Sequence, residues 1–219
     1  GVLMIGHAHM GGFGSIEGVA AAKAEIIAGL RPEGIAILNA DDARAAAMAE
    51  LAPARVLTFS ARGRQADLRA ENVDLDAAAR AAFDLHLPGL AEPRRVQLAV
   101  AGVHNVSNAL AAAGLALATG IAPELIAERL GSVSIESPHR MDISELSGDL
   151  LLIDDSYNAN IDSMTAALAV LPALAGERRR VVVISEMLEL GESSAADHAR
   201  TGELAAQAGA AMLIGIGST

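Results

Sequence analysis

The sequence contains a single lysine, Lys23, whose position is unusual. It lies within residues 15–29, where apolar side chains recur at the spacing of an amphipathic helix: Ile16, Val19, Ala20, Ile26 and Ile27. This spacing predicts that Lys23 faces the interior. Unlike an arginine, a lysine amine can be neutralised by burial and can then take part in chemistry. The alternative is a lysine whose stem covers the core while its ammonium reaches solvent.

Two histidines, His7 and His9, follow a predicted strand at residues 2–5 and precede the helix of Lys23. Ligands bind where the strands of an open α/β sheet end, and neutral imidazole is a common metal ligand. An ammonium has no lone pair, so Lys23 can coordinate a cation only after modification, for example by CO2 to a carbamate. For His9 alone, capping of a loop is an equally good interpretation.

Two asparagines, Asn105 and Asn108, are three residues apart at the start of a predicted helix. This spacing places both carboxamides on one face, where paired donors and acceptors suit the edge of an adenine. The alternative is a polar helix start with an asparagine cap.

A third polar group follows the apolar strand 150–154, where the chain continues as Asp-Asp-Ser-Tyr-Asn-Ala-Asn to residue 160. Carboxylates at this end of a parallel strand suit ribose hydroxyls or a metal, although they also form turns and helix caps. Strand 181–185 is followed by Glu186–Glu192, which we expect on the same sheet edge. Arg140 has the planar fork that binds phosphate, although a surface arginine is the commoner case.

Composition excludes several classes of protein. A net charge of -11 argues against nucleic acid or an anionic membrane as a partner, and no apolar run is long enough to predict membrane insertion. The absence of cysteine rules out disulfides and thiolate sites and fits a cytoplasmic protein. The sequence has no Gly-Lys-Ser/Thr phosphate loop. His86 and His198 have the pattern of ordinary exposed positions.

Strand and helix patterns alternate along the chain, which predicts an α/β fold with a largely parallel, doubly wound sheet. Residues 67–76, 79–87 and 94–100 interrupt this order and predict an antiparallel meander. Turn residues before His139 place a domain boundary between residues 1–137 and 138–219. Strand patterns at both ends of the sequence predict a piece of a longer protein. The predicted strands are 2–5, 34–38, 55–59, 94–100, 150–154, 181–185 and 211–216, and the predicted helices are 15–29, 42–51, 104–119, 123–130, 161–174 and 194–208.

Seven motifs in this order resemble the Mur ligases. They are Ala8–Glu17, Ala22–Ile26, Ile37–Asp42, Gly102–Leu110, His139–Met141, Asp154–Asn160 and Glu186–Glu192. The Ser-Tyr-Asn-Ala-Asn stretch is most similar to the branch that adds D-alanyl-D-alanine to UDP-N-acetylmuramoyl-tripeptide. The resemblance implies a central ATP-binding domain with a mostly parallel sheet and an antiparallel meander, followed by a Rossmann-like C-terminal domain.

The resemblance also implies an ATP-driven amide ligation through an acyl phosphate, with Mg²⁺ as the metal. By its motifs, His9 and a carbamylated Lys23 would be catalytic and would hold Mg²⁺. The nucleotide would be bound by Asn105, Asn108, Arg140, Asp155 and Tyr157. The resemblance places Asn158 and Asn160 beside the incoming dipeptide.

The sequence departs from the family in lacking the phosphate loop, which would precede Gly1. We therefore expect the 219-residue chain alone to be inactive. Two other interpretations stay open: a ligase of the same family that adds a different amino acid, and a non-catalytic nucleotide-binding module.

Overall fold

A computed structural model describes residues 1–6, 10–133 and 137–217, with residues 10 and 11 described by their backbone alone. The described residues form two compact units. The first comprises residues 1–6, 15–76 and 80–133, and the second comprises residues 10–14, 77–79 and 137–217. None of the helices in these ranges is long and apolar enough to span a membrane. The domain boundary after residue 137 remains a prediction.

The first unit contains a five-stranded sheet in the order β1-β2-β3-β4-β5. The β1–β2 and β2–β3 pairs are parallel, whereas the β3–β4 and β4–β5 pairs are antiparallel. The α/β class and the antiparallel meander are therefore confirmed. The sheet is mixed, with two parallel and two antiparallel strand pairs. The strands are β1 (Ile35–Asn39), β2 (Arg55–Ser60), β3 (Leu68–Leu75), β4 (Arg80–His86) and β5 (Arg94–Ala101).

Helices cover this sheet. The helices of the first unit are α2 (Ile16–Ala28), α3 (Ala43–Ala47), α4 (His104–Ala118) and α5 (Pro123–Leu130), with a 3-10 turn at Met48–Leu51. Helix α4 lies against β1, β2, β3 and β5, and the core includes Phe59, Phe83, Leu85, Val106 and Leu110. In β4, buried and half-buried residues alternate, as expected for a strand with one face on this core.

Helix α2 begins where the Ser15 hydroxyl accepts a hydrogen bond from the Gly18 amide. The predicted apolar face of this helix was correct only in part. Val19 and Ile27 are buried, but Ile26 is 59% exposed. Its neighbour Ile27 takes the inward position instead, because the two differ by about 100° around the helix axis.

The predicted strand at residues 2–5 was wrong. Only Val2 forms a bridge, parallel to Leu38 of β1. Side chains, rather than a strand ladder, bond the main chain of the next three residues: Leu3 to Asn39, Met4 to Lys23 and Ile5 to Asp42.

The second unit contains two separate two-stranded sheets. Strands β6 (Asp142–Leu146) and β7 (Leu150–Asp154) are antiparallel, whereas β8 (Val181–Ser185) and β9 (Met212–Ile216) are parallel. Its helices are α1 (Met10–Phe13), α6 (Ile161–Ala175) and α7 (Ser194–Gln207), and a 3-10 turn covers Gly191–Ser193. Leu168, Val182, Ala205 and Ala208 form a small core.

One strand of this unit was missed, and one prediction for it was wrong. Strand β6 was not predicted, because all five of its residues are exposed and give no buried apolar run. Strands β7 and β8 were expected to share one sheet edge, but they belong to different sheets. Strand β7 pairs with β6 through a tight turn, in which Gly148 and Asp149 have φ of 80° and 57°.

The core position of α4 supports a stability prediction. Leu110 is 0% exposed and Leu115, on the same helix, is 46% exposed. Leu110→Ala should lower the free energy of unfolding of the first unit by about 2–5 kcal/mol, because it leaves a cavity in a packed core. Urea unfolding followed by circular dichroism measures this loss. The matched control, Leu115→Ala, should change the free energy by less than about 1 kcal/mol, and equal losses would contradict the assignment of α4 to the core.

Candidate functional site

Lys23 lies half-buried on α2, and its Nζ donates a hydrogen bond to the Met4 carbonyl oxygen at 2.9 Å. The amine therefore meets the main chain of the segment that continues towards His7 and His9. Both histidines lie outside the described residues. The predicted approach of Lys23 to His9 remains a prediction.

Polar side chains follow β1 at its carboxyl end. Asn39 is buried at 7% exposure, and its Oδ1 accepts from the Asp41 amide at 2.8 Å. The Asp41 carboxylate accepts from the Ser60 hydroxyl and the Ala61 amide, both at 2.8 Å, and so joins the ends of β1 and β2. From the sequence, Asn39 and Asp41 were assigned no role. Their position after a buried parallel strand was the signal that could have found them.

Asn105 and Asn108 form a hydrogen-bonded series at the start of α4. Asn105 is buried, and its Nδ2 donates to the Ala101 carbonyl oxygen at 2.7 Å. Its Oδ1 accepts from the Asn108 Nδ2 at 2.9 Å. Because a carbonyl can only accept, this series fixes the orientation of both amides. Asn108 is exposed, and it bonds Asn105 through its Nδ2 and not through its Oδ1.

Gly102 makes this helix start possible. It has φ of 103°, and a Cβ at this position would lie 2.5 Å from the His104 ring. Only glycine fits the turn from β5 into α4 without strain. The asparagine cap considered as the alternative does not form, because Val103 occupies the cap position without a side-chain hydrogen bond.

In the second unit, the carboxylate of Asp154 is the centre of a hydrogen-bonded group. Its Oδ1 accepts from the Ser156 hydroxyl at 2.6 Å, and its Oδ2 lies 2.7 Å from the His139 Nδ1. The Ser156 hydroxyl first, and then His139 and the Ser156 amide, lower the pKa of Asp154 from 3.8 to about 2. Asp154 is therefore ionised throughout the neutral pH range. From the sequence, Asp154 was expected, together with Asp155, to suit ribose hydroxyls or a metal, whereas His139 was given no role.

Arg140 lies between two residues with left-handed backbone, His139 at φ 62° and Met141 at φ 50°. Its guanidinium carbon stands 4.1 Å from the centre of the Tyr157 ring, which is the geometry of a cation–π contact. Two main-chain hydrogen bonds hold the same segment: the Tyr157 amide donates to the His139 carbonyl at 3.0 Å, and the Met141 amide donates to the Asp155 Oδ1 at 2.9 Å. The structure thus brings together Arg140, Asp155 and Tyr157 of the predicted site.

Asn158 and Asn160 complete the turn before α6. Asn158 is exposed, and its Oδ1 accepts from the Ala159 amide at 3.0 Å. Asn160 caps α6 through a reciprocal pair of hydrogen bonds with Ser163. The side-chain oxygen of Asn160 is therefore used within the fold, where it caps α6. The substrate role of both asparagines remains a prediction.

Asn105 and Asn108 belong to the first unit, and Arg140 and Asp155 belong to the second. The prediction that these four residues line one crevice is therefore untested.

The interpretation of His86 and His198 as ordinary exposed residues was wrong. His198 is half-buried: its Nε2 accepts from the Met187 amide at 2.9 Å, and its Nδ1 lies 2.7 Å from the Ser194 carbonyl oxygen. It thereby anchors the loop after β8. His86 is half-buried and pairs with Glu71 at 3.0 Å.

Comparison with known proteins places these features in a family. Residues 2–116 match the Mur ligase middle domain, and residues 139–219 match the Mur ligase, glutamate ligase domain. The chain is 42% identical over 221 residues to a UDP-N-acetylmuramoyl-tripeptide--D-alanyl-D-alanine ligase of Mycobacterium bovis, covering 99% of this chain and 43% of the relative. The ligase of the same name from Escherichia coli is 40% identical, with 96% and 45% covered.

The fold shows the same likeness. A crystal structure of MurF from Acinetobacter baumannii superimposes with a TM-score of 0.86 at 35% identity, covering 99% of this chain and 46% of that one. The chain spans less than half the length of the relatives it matches. Because a family domain matches more than half of its residues, the chain belongs to the Mur ligase family.

Proposed function

We propose that the full-length protein is an ATP-dependent ligase that joins D-alanyl-D-alanine to UDP-N-acetylmuramoyl-tripeptide, a step in the synthesis of peptidoglycan precursors. The observation that carries this proposal is the extent of the likeness: 42% identity over 99% of the chain to a relative of that name. The matched region includes residues 154–160, whose motif resembles this branch more than the other branches of the family.

The reaction proceeds in two steps. A carboxylate oxygen of the tripeptide attacks the γ-phosphorus of ATP, which forms an acyl phosphate and releases ADP. The amine of D-alanyl-D-alanine then attacks the acyl carbon, the carbon–oxygen bond to phosphate breaks, and the amine loses a proton. The products are the amide and inorganic phosphate.

The first unit offers a contact for the adenine. The Asn105 series uses the Nδ2 of the exposed Asn108, so the Oδ1 of Asn108 is the atom that could accept from a donor such as the exocyclic amine of adenine. The buried Asn105 supports Asn108 and has both of its own polar atoms in hydrogen bonds.

The second unit offers a cation for the phosphates. Arg140 is exposed, and stacking on Tyr157 restricts its guanidinium without using any of its five N–H donors. Asp155, which anchors Met141, is the residue proposed for the ribose. The exposed Tyr157 is proposed to contact the nucleotide where it meets the incoming dipeptide, and Asn158 and Asn160 are proposed to contact the dipeptide.

The surroundings of Lys23 fit a carbamate. A carbamate nitrogen keeps one N–H, and the Met4 carbonyl oxygen already accepts from this nitrogen at 2.9 Å. The two carbamate oxygens are the hard ligands that Mg²⁺ prefers, and bound Mg²⁺ would neutralise charge on the transferred phosphoryl group. Lys23 and His9 are the residues proposed to hold it. Because ATP is the co-substrate and the chain has no cysteine, we propose that the protein works in the cytoplasm.

A ligation assay tests this function. The full-length protein should release ADP only when both UDP-N-acetylmuramoyl-tripeptide and D-alanyl-D-alanine are present, and mass spectrometry should detect their amide. Lys23→Arg keeps the charge but cannot form a carbamate, so kcat should fall by more than the roughly 10–100-fold typical of losing an outer-shell metal partner.

Arg31→Lys is the control, because Arg31 is an exposed basic residue beyond the end of α2. It should retain the activity of the unaltered protein. Full activity of Lys23→Arg would refute the carbamate. ADP release that requires glutamate or a diamino acid in place of D-alanyl-D-alanine would identify a different branch of the family.

The low pKa of Asp154 gives a prediction about pH. Folding lowers the pKa of Asp154 from 3.8 to about 2. The ionised carboxylate therefore stabilises the Arg140 segment at pH values above 3.8, and this contribution is lost as the pH falls towards 2. Ser156→Ala removes the largest cause and should raise the pKa of Asp154, measured by carboxyl ¹³C chemical shifts. Thr165→Ala, which removes a hydroxyl elsewhere in the unit, should leave it unchanged. A pKa that stays at about 2 in Ser156→Ala would contradict this assignment.

A further inference from the structure

We propose that Asn39 and Asp42 are positioning residues for Lys23. They hold residues 3–5 so that the Met4 carbonyl oxygen meets the Lys23 amine and sets its orientation. This inference rests on the proposed function, because it concerns the lysine that would carry the carbamate.

Hydrogen bonds to three consecutive residues carry the inference. The Asn39 Nδ2 donates to the Leu3 carbonyl oxygen at 2.7 Å, and the Ile5 amide donates to the Asp42 Oδ2 at 2.7 Å. Between them, the Met4 carbonyl oxygen accepts from Lys23 at 2.9 Å. The position of this acceptor is thus fixed from both sides.

The orientation of each positioning side chain is itself determined. The Asp41 amide can only donate, so it requires the Oδ1 of Asn39 and leaves the Nδ2 for Leu3. The Asp42 Oδ1 caps α3 by accepting from the Arg44 and Ala45 amides, which leaves Oδ2 for Ile5. Each side chain therefore uses one polar atom within its own loop and the other to bond residues 3–5.

This arrangement has a consequence for carbamate formation. The Lys23 ammonium loses one proton to water, the nitrogen lone pair attacks the carbon of CO2, and a second proton leaves to water. The nitrogen keeps one N–H, and the Met4 carbonyl is in place to accept it. That bond fixes the direction of the N–H and with it the plane of the carbamate, so a displaced Met4 carbonyl would leave the group without a fixed orientation.

The test uses the fact that Lys23 is the chain's sole lysine. Lysine labelled with ¹⁵N at Nζ gives one side-chain signal, whose proton exchange with water reports the hydrogen bond to Met4. Asn39→Asp keeps the acceptor for Asp41 but removes the donor to Leu3. Asp42→Asn keeps the cap of α3 but removes the acceptor for Ile5. Each should speed exchange of the Lys23 protons about fivefold, as expected for loss of one hydrogen bond.

Asp67→Asn is the matched control, because Asp67 also fixes a main-chain amide, that of Thr58, but has no bond to residues 3–5. It should leave the exchange rate unchanged. If Asn39→Asp fails to fold, as judged by circular dichroism, Asp42→Asn decides the question. Unchanged exchange in the folded variants, or an equal increase in the control, would overturn the inference.

A second measurement separates this inference from the proposed function. In ¹³C-bicarbonate at alkaline pH, the unaltered chain should show a carbamate ¹³C signal coupled to the Lys23 nitrogen, and the two variants should show a smaller one. No such signal in the unaltered chain, together with the expected exchange rates, would refute the carbamate and support the positioning role. Equal carbamate signals in all variants would overturn the consequence drawn for carbamate formation.

Discussion

The contact between the Lys23 amine and the Met4 carbonyl oxygen depends on two side chains at the carboxyl end of β1, those of Asn39 and Asp42. A lysine on a helix has four rotatable bonds and no intrinsic preference for one acceptor. Asn39 and Asp42 remove that freedom indirectly, by fixing the main chain that carries the acceptor. The sheet therefore determines the position of the amine, although Lys23 is not part of the sheet.

The second unit uses the same arrangement. There, Asp154 ends β7 and Asp155 follows it, and they bond His139 and the Met141 amide on either side of Arg140. In each unit, carboxylates or amides after a strand hold a short segment of the chain. The charged group of each unit, the Lys23 amine or the Arg140 guanidinium, lies beside these residues and is not one of them.

The sequence allowed prediction of the parts that depend on local pattern. The meander was predictable because its strands alternate between buried and less buried residues, and the polar turns were predictable because they follow apolar strands. Strand β6 was not predictable, because all five of its residues are exposed and show no apolar pattern. Residues 2–5 have the composition of a strand, but residues 3–5 bond the side chains of Asn39, Lys23 and Asp42 in place of a strand ladder, and these partners are distant in sequence.

Partners distant in sequence could not be predicted. Asp154 and Asp155 were expected to face a ligand, yet each bonds a residue of the 139–141 segment, 15 and 14 positions away respectively. No spacing rule for helices or strands connects such pairs. Asn160 is an intermediate case, because Asn followed three residues later by Ser is a recognisable helix start.

The most direct measurement is a crystal structure of the chain grown in the presence of bicarbonate. We expect planar density of three atoms beyond the Lys23 Nζ, with that nitrogen still within about 3 Å of the Met4 carbonyl oxygen. A bare Lys23 side chain turned into solvent, away from Met4, would contradict this expectation.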